Sequence, residues 1–209
     1  MNIFDPDAPL SRILIRIFDL LVLNICFILC SLPVFTIGAS LTALYTVALA
    51  MEDRSGILRR FFRAFKANFR QATVIWLILL VVGVLLGIDL FWLKNADMAL
   101  SVLLHVVLYI TICFVLGTAS FVFPLLAKYD NSIFATLKNS ITFAVFAFPS
   151  LLLLILADAI PVIFWLLNYR LFSLVLYIWL FLGFSLTAYI HSFILNPLFS
   201  AVQNQEQNE

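Results

Sequence analysis

Ionisable side chains stand inside the long apolar runs of this chain: Asp89, His105, Asp158 and His191. A charge inside a bilayer is costly, so such residues face a protein interior or a water path and mark functional candidates. Asp89 lies near the far end of its run, His105 about two turns into the next, and Asp158 deeper in the fourth. The expectation is that these three meet in one half of a helical bundle. A carboxylate beside an imidazole could bind a cation or relay a proton. The plain alternative is that they cap kinks or reach headgroup water. Asp158, three residues before Pro161, suits such a local backbone role. His191 falls near the opposite end of the last run.

Composition states what must hold these residues. Of 209 residues, 65% are hydrophobic and only 11% charged. Soluble domains average roughly 45–50% apolar and about 25% charged, and a domain of this size has too little interior for the excess. The chain is an integral membrane protein. No polar block is long enough for a separate soluble domain, so residues 1–202 are expected as one membrane domain with a polar tail at 203–209. The N-terminal stretch has two aspartates before its arginines and no clear cleavage site, and is expected to be retained. Cys26, Cys30 and Cys113 all lie in apolar runs, where cysteine usually behaves as a small hydrophobe. No disulfide framework, metal set or cofactor motif is indicated. Without a nucleophile or phosphate-loop signature, enzyme chemistry has little support.

Four runs are each long enough to cross as a helix, at 74–93, 99–127, 141–167 and 171–195. Pro124, Pro149 and Pro161 are expected to kink them. The first run, 17–50, is generous for one crossing and scant for two. Charge arbitrates. The loop 51–73 holds six of the twelve Lys and Arg, and the linker 128–140 adds Lys128 and Lys138. The linkers on the other side carry only Lys94 and Arg170. The positive-inside rule then puts the basic loops and the C-terminus in the cytoplasm. Two crossings in 17–50 bring Arg12 and Arg16, and with them the N-terminus, to the same side. The expected fold is an all-α polytopic bundle of five long spans plus a short return or re-entrant helix. The first helix covers about 10–32, the chain turns at Pro33–Gly38 near the outer face, and the return covers about 39–52.

Residues 56–70, GILRRFFRAFKANFR, form an amphipathic helix. Phe61, Phe62, Phe65 and Phe69 fall on one face, and Arg59, Arg60, Arg63, Lys66 and Arg70 on the other. This pattern suits a helix lying in the inner interface, with Phe in the acyl boundary and Arg toward phosphates. It also suits a docking surface for a cytoplasmic partner. Nucleic acid is not expected, because the membrane needs the face. A weak echo of the segment from Phe62 begins at Phe134, as in two parallel hairpin repeats.

Three blocks, NIFDPDAPLSRIL, LCSLPVFTIGASLTALY and FFRAFKANFRQATVIWLILL, occur in this order. Together they resemble the YesL-like family of bacterial membrane proteins, a domain of unknown function. The resemblance implies a helical integral membrane protein of about this length, in the cell membrane. It also implies an association with carbohydrate uptake transporters, their sensors and glycan-degrading enzymes. It transfers no catalytic or ligand residue. The functional expectation is a non-enzymatic accessory of a carbohydrate uptake or sensing system, in contact with lipid. The alternative is a small solute or ion transporter, or a permease-like subunit.

Overall fold

The structure is a computed structural model that describes residues 9–51, 56–94, 101–167 and 169–206. Asp5–Pro6–Asp7, Arg54 and the linker 95–98 lie outside the described residues. Among those described, the fold is all-α, without strands. Four stretches are long and apolar enough to cross a membrane: Leu10–Ser31, Ile57–Leu93, Val102–Lys128 and Val175–Asn204. A fifth crossing counts if the bent pair Ile133–Phe146 and Phe148–Asp158 is one span.

Helix α1 (Pro9–Ser31) ends where Pro33 takes an extended conformation, and a 3₁₀ turn, Val34–Thr36, leads into α2 (Ile37–Leu49). The Thr36 hydroxyl shares its hydrogen between the carbonyls of Cys30 and Pro33, and so covers the Cys30 acceptor that the end of α1 leaves free. The chain therefore turns round at Pro33. Within α2 the hydroxyls of Ser40, Thr42 and Thr46 each donate to the carbonyl four residues earlier. That internal pairing lets the three aliphatic hydroxyls of α2 pack among apolar neighbours.

Gly56, at φ +63°, brings the chain into α3 (Ile57–Lys94), a single helix of 38 residues. The expected interfacial helix 56–70 and span 74–93 are thus one element. At 1.5 Å per residue it is about 57 Å long, nearly twice a hydrocarbon core of about 30 Å. No Gly, Pro or polar cluster falls between Arg70 and Val74 to break it. Helix α2 lies antiparallel along its first half. Arg60 donates to the Ala50 carbonyl at one end, and Trp76 donates its Nε1–H to the Val34 carbonyl (2.8 Å) at the other. The turn at Pro33 therefore sits beside the start of the 74–93 stretch, not beside its outer end as expected. Small residues set this register. A Cβ on Gly38 would stand 2.4 Å from the Ala72 carbonyl oxygen and 2.6 Å from Trp76 Cβ. Beyond Trp76, α3 pairs with α4 (Ser101–Lys128), and among the described residues little of its apolar surface is buried. Such a surface belongs in lipid.

The expected span 141–167 is not continuous. Helix α5 (Ile133–Phe146) and α6 (Phe148–Asp158) meet at 96°, and α7 (Ile160–Leu167) follows a break at Ala159. Pro149 and Pro161 each sit at the second residue of a new helix, where a missing N–H costs nothing. Pro124, by contrast, lies inside the unbroken α4. The echo between the segments from Phe62 and Phe134 ends here, since one helix is continuous and the other bends. Helix α8 (Tyr169–Ile178) passes through a π turn, Trp179–Gly183, into α9 (Phe184–Glu206). The last span thus runs past the expected 195, and the polar tail begins inside α9.

Gly38→Ala is expected to destabilise the protein by about 2 kcal/mol or more, because the new methyl must push α2 and α3 apart. Gly83→Ala, with nothing within 4 Å of its added Cβ, is the matched control. Thermal unfolding in detergent separates them; equal midpoints would contradict the register.

Candidate functional site

Three helices converge on one polar group. Helix α2 supplies Tyr45, α9 supplies His191, and Asp158 ends α6. His191 is 2% exposed. Its Nδ1 lies 2.8 Å from the Tyr45 hydroxyl, and the two rings are nearly parallel. Its Nε2 is 3.6 Å from Asp158 Oδ1 and has no partner at hydrogen-bonding distance among the described residues. Either Tyr45 donates and Nε2–H points toward the carboxylate, or Nδ1–H donates to Tyr45 and the Nε2 lone pair faces it. Both arrangements leave a gap just too long for a direct bond.

The register of α9 is held by a buried amide. Asn24 of α1, 0% exposed, donates to the Leu180 carbonyl (2.8 Å) and accepts from the Ser185 N–H (3.0 Å). Leu180 and Ser185 are five residues apart, the spacing of one π turn. The Asn24 side chain thus bridges backbone groups left by the irregular turn, in a region where lipid offers no substitute. The Ser185 hydroxyl adds a bond to the Leu20 carbonyl (2.8 Å). Lower on α9, Asn196 donates to the Leu49 carbonyl (3.1 Å) at the end of α2. These ties fix His191 opposite Tyr45.

Two grooves meet at the site and share Tyr45 and Asp158. The larger, about 470 Å³, runs toward Trp76 and Phe123; the smaller, about 220 Å³, runs toward Pro161 and Trp179. Asp158 is half-exposed into them, with 53% of its side chain accessible.

The expected cluster of Asp89, His105 and Asp158 does not form. Asp89 lines a separate cleft between α3 and α4, with Trp92, Leu104 and Leu108. His105 packs beside the Tyr109 ring on its own helix. The groove that Asp158 lines reaches α4 at Leu116, Ala119, Ser120 and Phe123. Leu108 and Leu116 are eight residues apart, about 12 Å along the helix. Asp158, the last residue of α6, lies against α9 instead, where its imidazole is His191.

The basic segment also differs from expectation. Phe61 is fully buried against Leu44, Val47 and Ala64, and Phe65 is half-buried, so some of the aromatic face belongs to the protein. Only Phe62 and Phe69 remain exposed. On the other side Arg59, Arg63, Lys66 and Arg70 are exposed at spacings of four, three and four, a single stripe along the helix. Arg60 leaves this stripe to bond Ala50. Cys26, Cys30 and Cys113 are free thiols.

Residues 20–90 match a family described as "Protein of unknown function, DUF624". The match takes in the Pro33 turn, α2 and most of α3. It includes Tyr45 but ends before Asp158 and His191. No curated protein and no solved structure matches the chain.

Removing the Tyr45 hydroxyl leaves a buried ring nitrogen unpaired, so Tyr45→Phe is expected to cost about 1–3 kcal/mol. Tyr45→Phe and His191→Phe together are expected to cost less than their sum, by at least about 0.5 kcal/mol, whereas His105→Phe with Tyr45→Phe adds. Unfolding midpoints of the single and double variants check this. Additivity for the Tyr45–His191 pair would remove the contact.

Proposed function

We propose that the protein is a non-enzymatic, multi-pass accessory in the bacterial plasma membrane, serving a carbohydrate uptake or sensing system. It docks its cytoplasmic partner through the basic stripe of α3. The observation that carries this reading is the stripe itself. Arg59, Arg63, Lys66 and Arg70 stand exposed on one line of a continuous helix. Phe61 and Phe65, which a lipid-lying helix would sink into the acyl boundary, are taken up by the protein's own core. The cations are therefore offered beyond the apolar half of a rigid rod that reaches into the bundle. An acidic protein surface matches such a row, and a row of separated cations steers association as well as strengthening it. The YesL-like resemblance supplies the carbohydrate context, and the positive-inside rule supports the cytoplasmic side for the stripe and both termini.

A second reading is a small solute or ion transporter, or a permease-like subunit. Its support is the Tyr45–His191–Asp158 group between two grooves. Flux of sugars, ions or protons into proteoliposomes, lost in Asp158→Asn, is the result it requires.

For the docking reading, the protein is purified in mild detergent from native membranes of cells grown on complex glycans. Mass spectrometry is expected to find a stoichiometric transporter subunit or sensor kinase. Arg59→Glu, Arg63→Glu, Lys66→Glu and Arg70→Glu together are expected to abolish that capture while the protein remains folded. Recovery of lipid alone with the unchanged protein would overturn the reading.

A further inference from the structure

The larger groove has a chemistry of its own. Three aromatic side chains, Tyr45, Trp76 and Phe123, face it from α2, α3 and α4, and Asp158 closes one side. The rest of its wall is apolar apart from Ser120. Most of its polar atoms are already committed. The Trp76 Nε1–H bonds the Val34 carbonyl (2.8 Å), the Ser120 hydroxyl bonds the Leu116 carbonyl (3.0 Å), and the Tyr45 hydroxyl is on His191. What remains is the Asp158 carboxylate, which accepts no hydrogen bond among the described residues and lies past bonding distance from the buried Nε2 of His191. No Lys or Arg lines the groove among the described residues.

This inventory discriminates between ligands. A sugar needs several hydrogen-bonding partners, and a polar ligand without them loses its hydration uncompensated. A free sugar therefore does not fit. An anion meets a carboxylate and no cation. A ligand with one positive charge and an apolar body fits each feature. Its charge pairs with Asp158 in a low-dielectric setting, ring faces attract it through their quadrupoles, and apolar walls take up the remainder.

We propose that the groove between α2, α3, α4 and α6 is a binding site for a lipophilic organic monocation, with Asp158 as counter-ion. The volume of about 470 Å³ suits such a molecule. The inference does not depend on the docking reading, whose test leaves Asp158 untouched. It gives the transport reading a ligand class, and binding without flux would keep the site while removing transport.

The probe is tetraphenylphosphonium, measured by equilibrium dialysis against the full-length protein in detergent micelles, with protein-free micelles subtracted. Tetraphenylborate, of nearly the same shape and opposite charge, is the control. The expected result is saturable binding of one phosphonium per chain, not displaced by excess methyl glucoside, and no saturable binding of the borate when it is dialysed alone. Asp158→Asn is expected to weaken binding by about tenfold or more, while Asp158→Glu retains most of it. Asp89→Asn, in the other cleft, leaves it unchanged. Size-exclusion chromatography confirms that the variants remain folded. Absence of saturable phosphonium binding, equal binding by Asp158→Asn, saturable binding of the borate dialysed alone, or loss in Asp89→Asn instead would each overturn the proposal.

Discussion

The close approach of Gly38 to the backbone of Ala72 is the contact on which the arrangement rests. Only a residue without a Cβ allows α2 to lie this near α3, and the contact fixes both the direction and the register of α2. It places the Pro33 turn against Trp76 and the other end of α2 against Arg60. It also buries Phe61 under Leu44 and Val47. With α2 so placed, Tyr45 reaches α9, where His191 receives its hydroxyl. Lipid supplies no driving force for apolar side chains to leave it, so close packing and buried hydrogen bonds carry the specificity. Gly38 provides the first and Asn24 the second.

Trp76 links the two functional regions. Its indole belongs to α3 six residues past the end of the cationic stripe at Arg70, and it forms a wall of the groove that Asp158 closes. Its N–H holds the turn between α1 and α2, and its ring lies 6.4 Å from that of Phe123. A molecule in the groove therefore touches the same continuous helix that carries Arg59, Arg63, Lys66 and Arg70. The bundle around it is tied by side chain to backbone bonds across large sequence distances, as at Asn24 and Asn196.

Much of the fold was legible because lipid makes apolar length diagnostic. The runs of α1, α3, α4 and the last helix, and the reversal at Pro33, follow from composition and from the small residues after Gly38. Proline was only half-readable. Pro124 and Pro149 look alike in sequence, but whether a helix bends past a proline or restarts depends on what covers the freed carbonyl. The site was the least legible feature. Tyr45 and His191 are 146 residues apart with no local pattern between them. Asp158 was visible as an intramembrane carboxylate, yet its partner is set by where the bent pair α5 and α6 brings the end of α6, not by any local pattern. The buried fate of Phe61 and Phe65 was hidden for a related reason. A wheel separates an apolar from a basic face but does not say whether lipid or another helix covers the apolar one.

The central claim is that α2 lies along the basic half of α3. Cysteine cross-linking in native membranes tests it most directly, with the three natural cysteines replaced by alanine. Ala39→Cys paired with Ala72→Cys is expected to form an oxidant-induced disulfide within the chain, since both positions are buried in one cluster. Ala39→Cys paired with Leu90→Cys is expected to form none. Cross-linking of the second pair and not the first would put the turn at the far end of α3 and contradict the account.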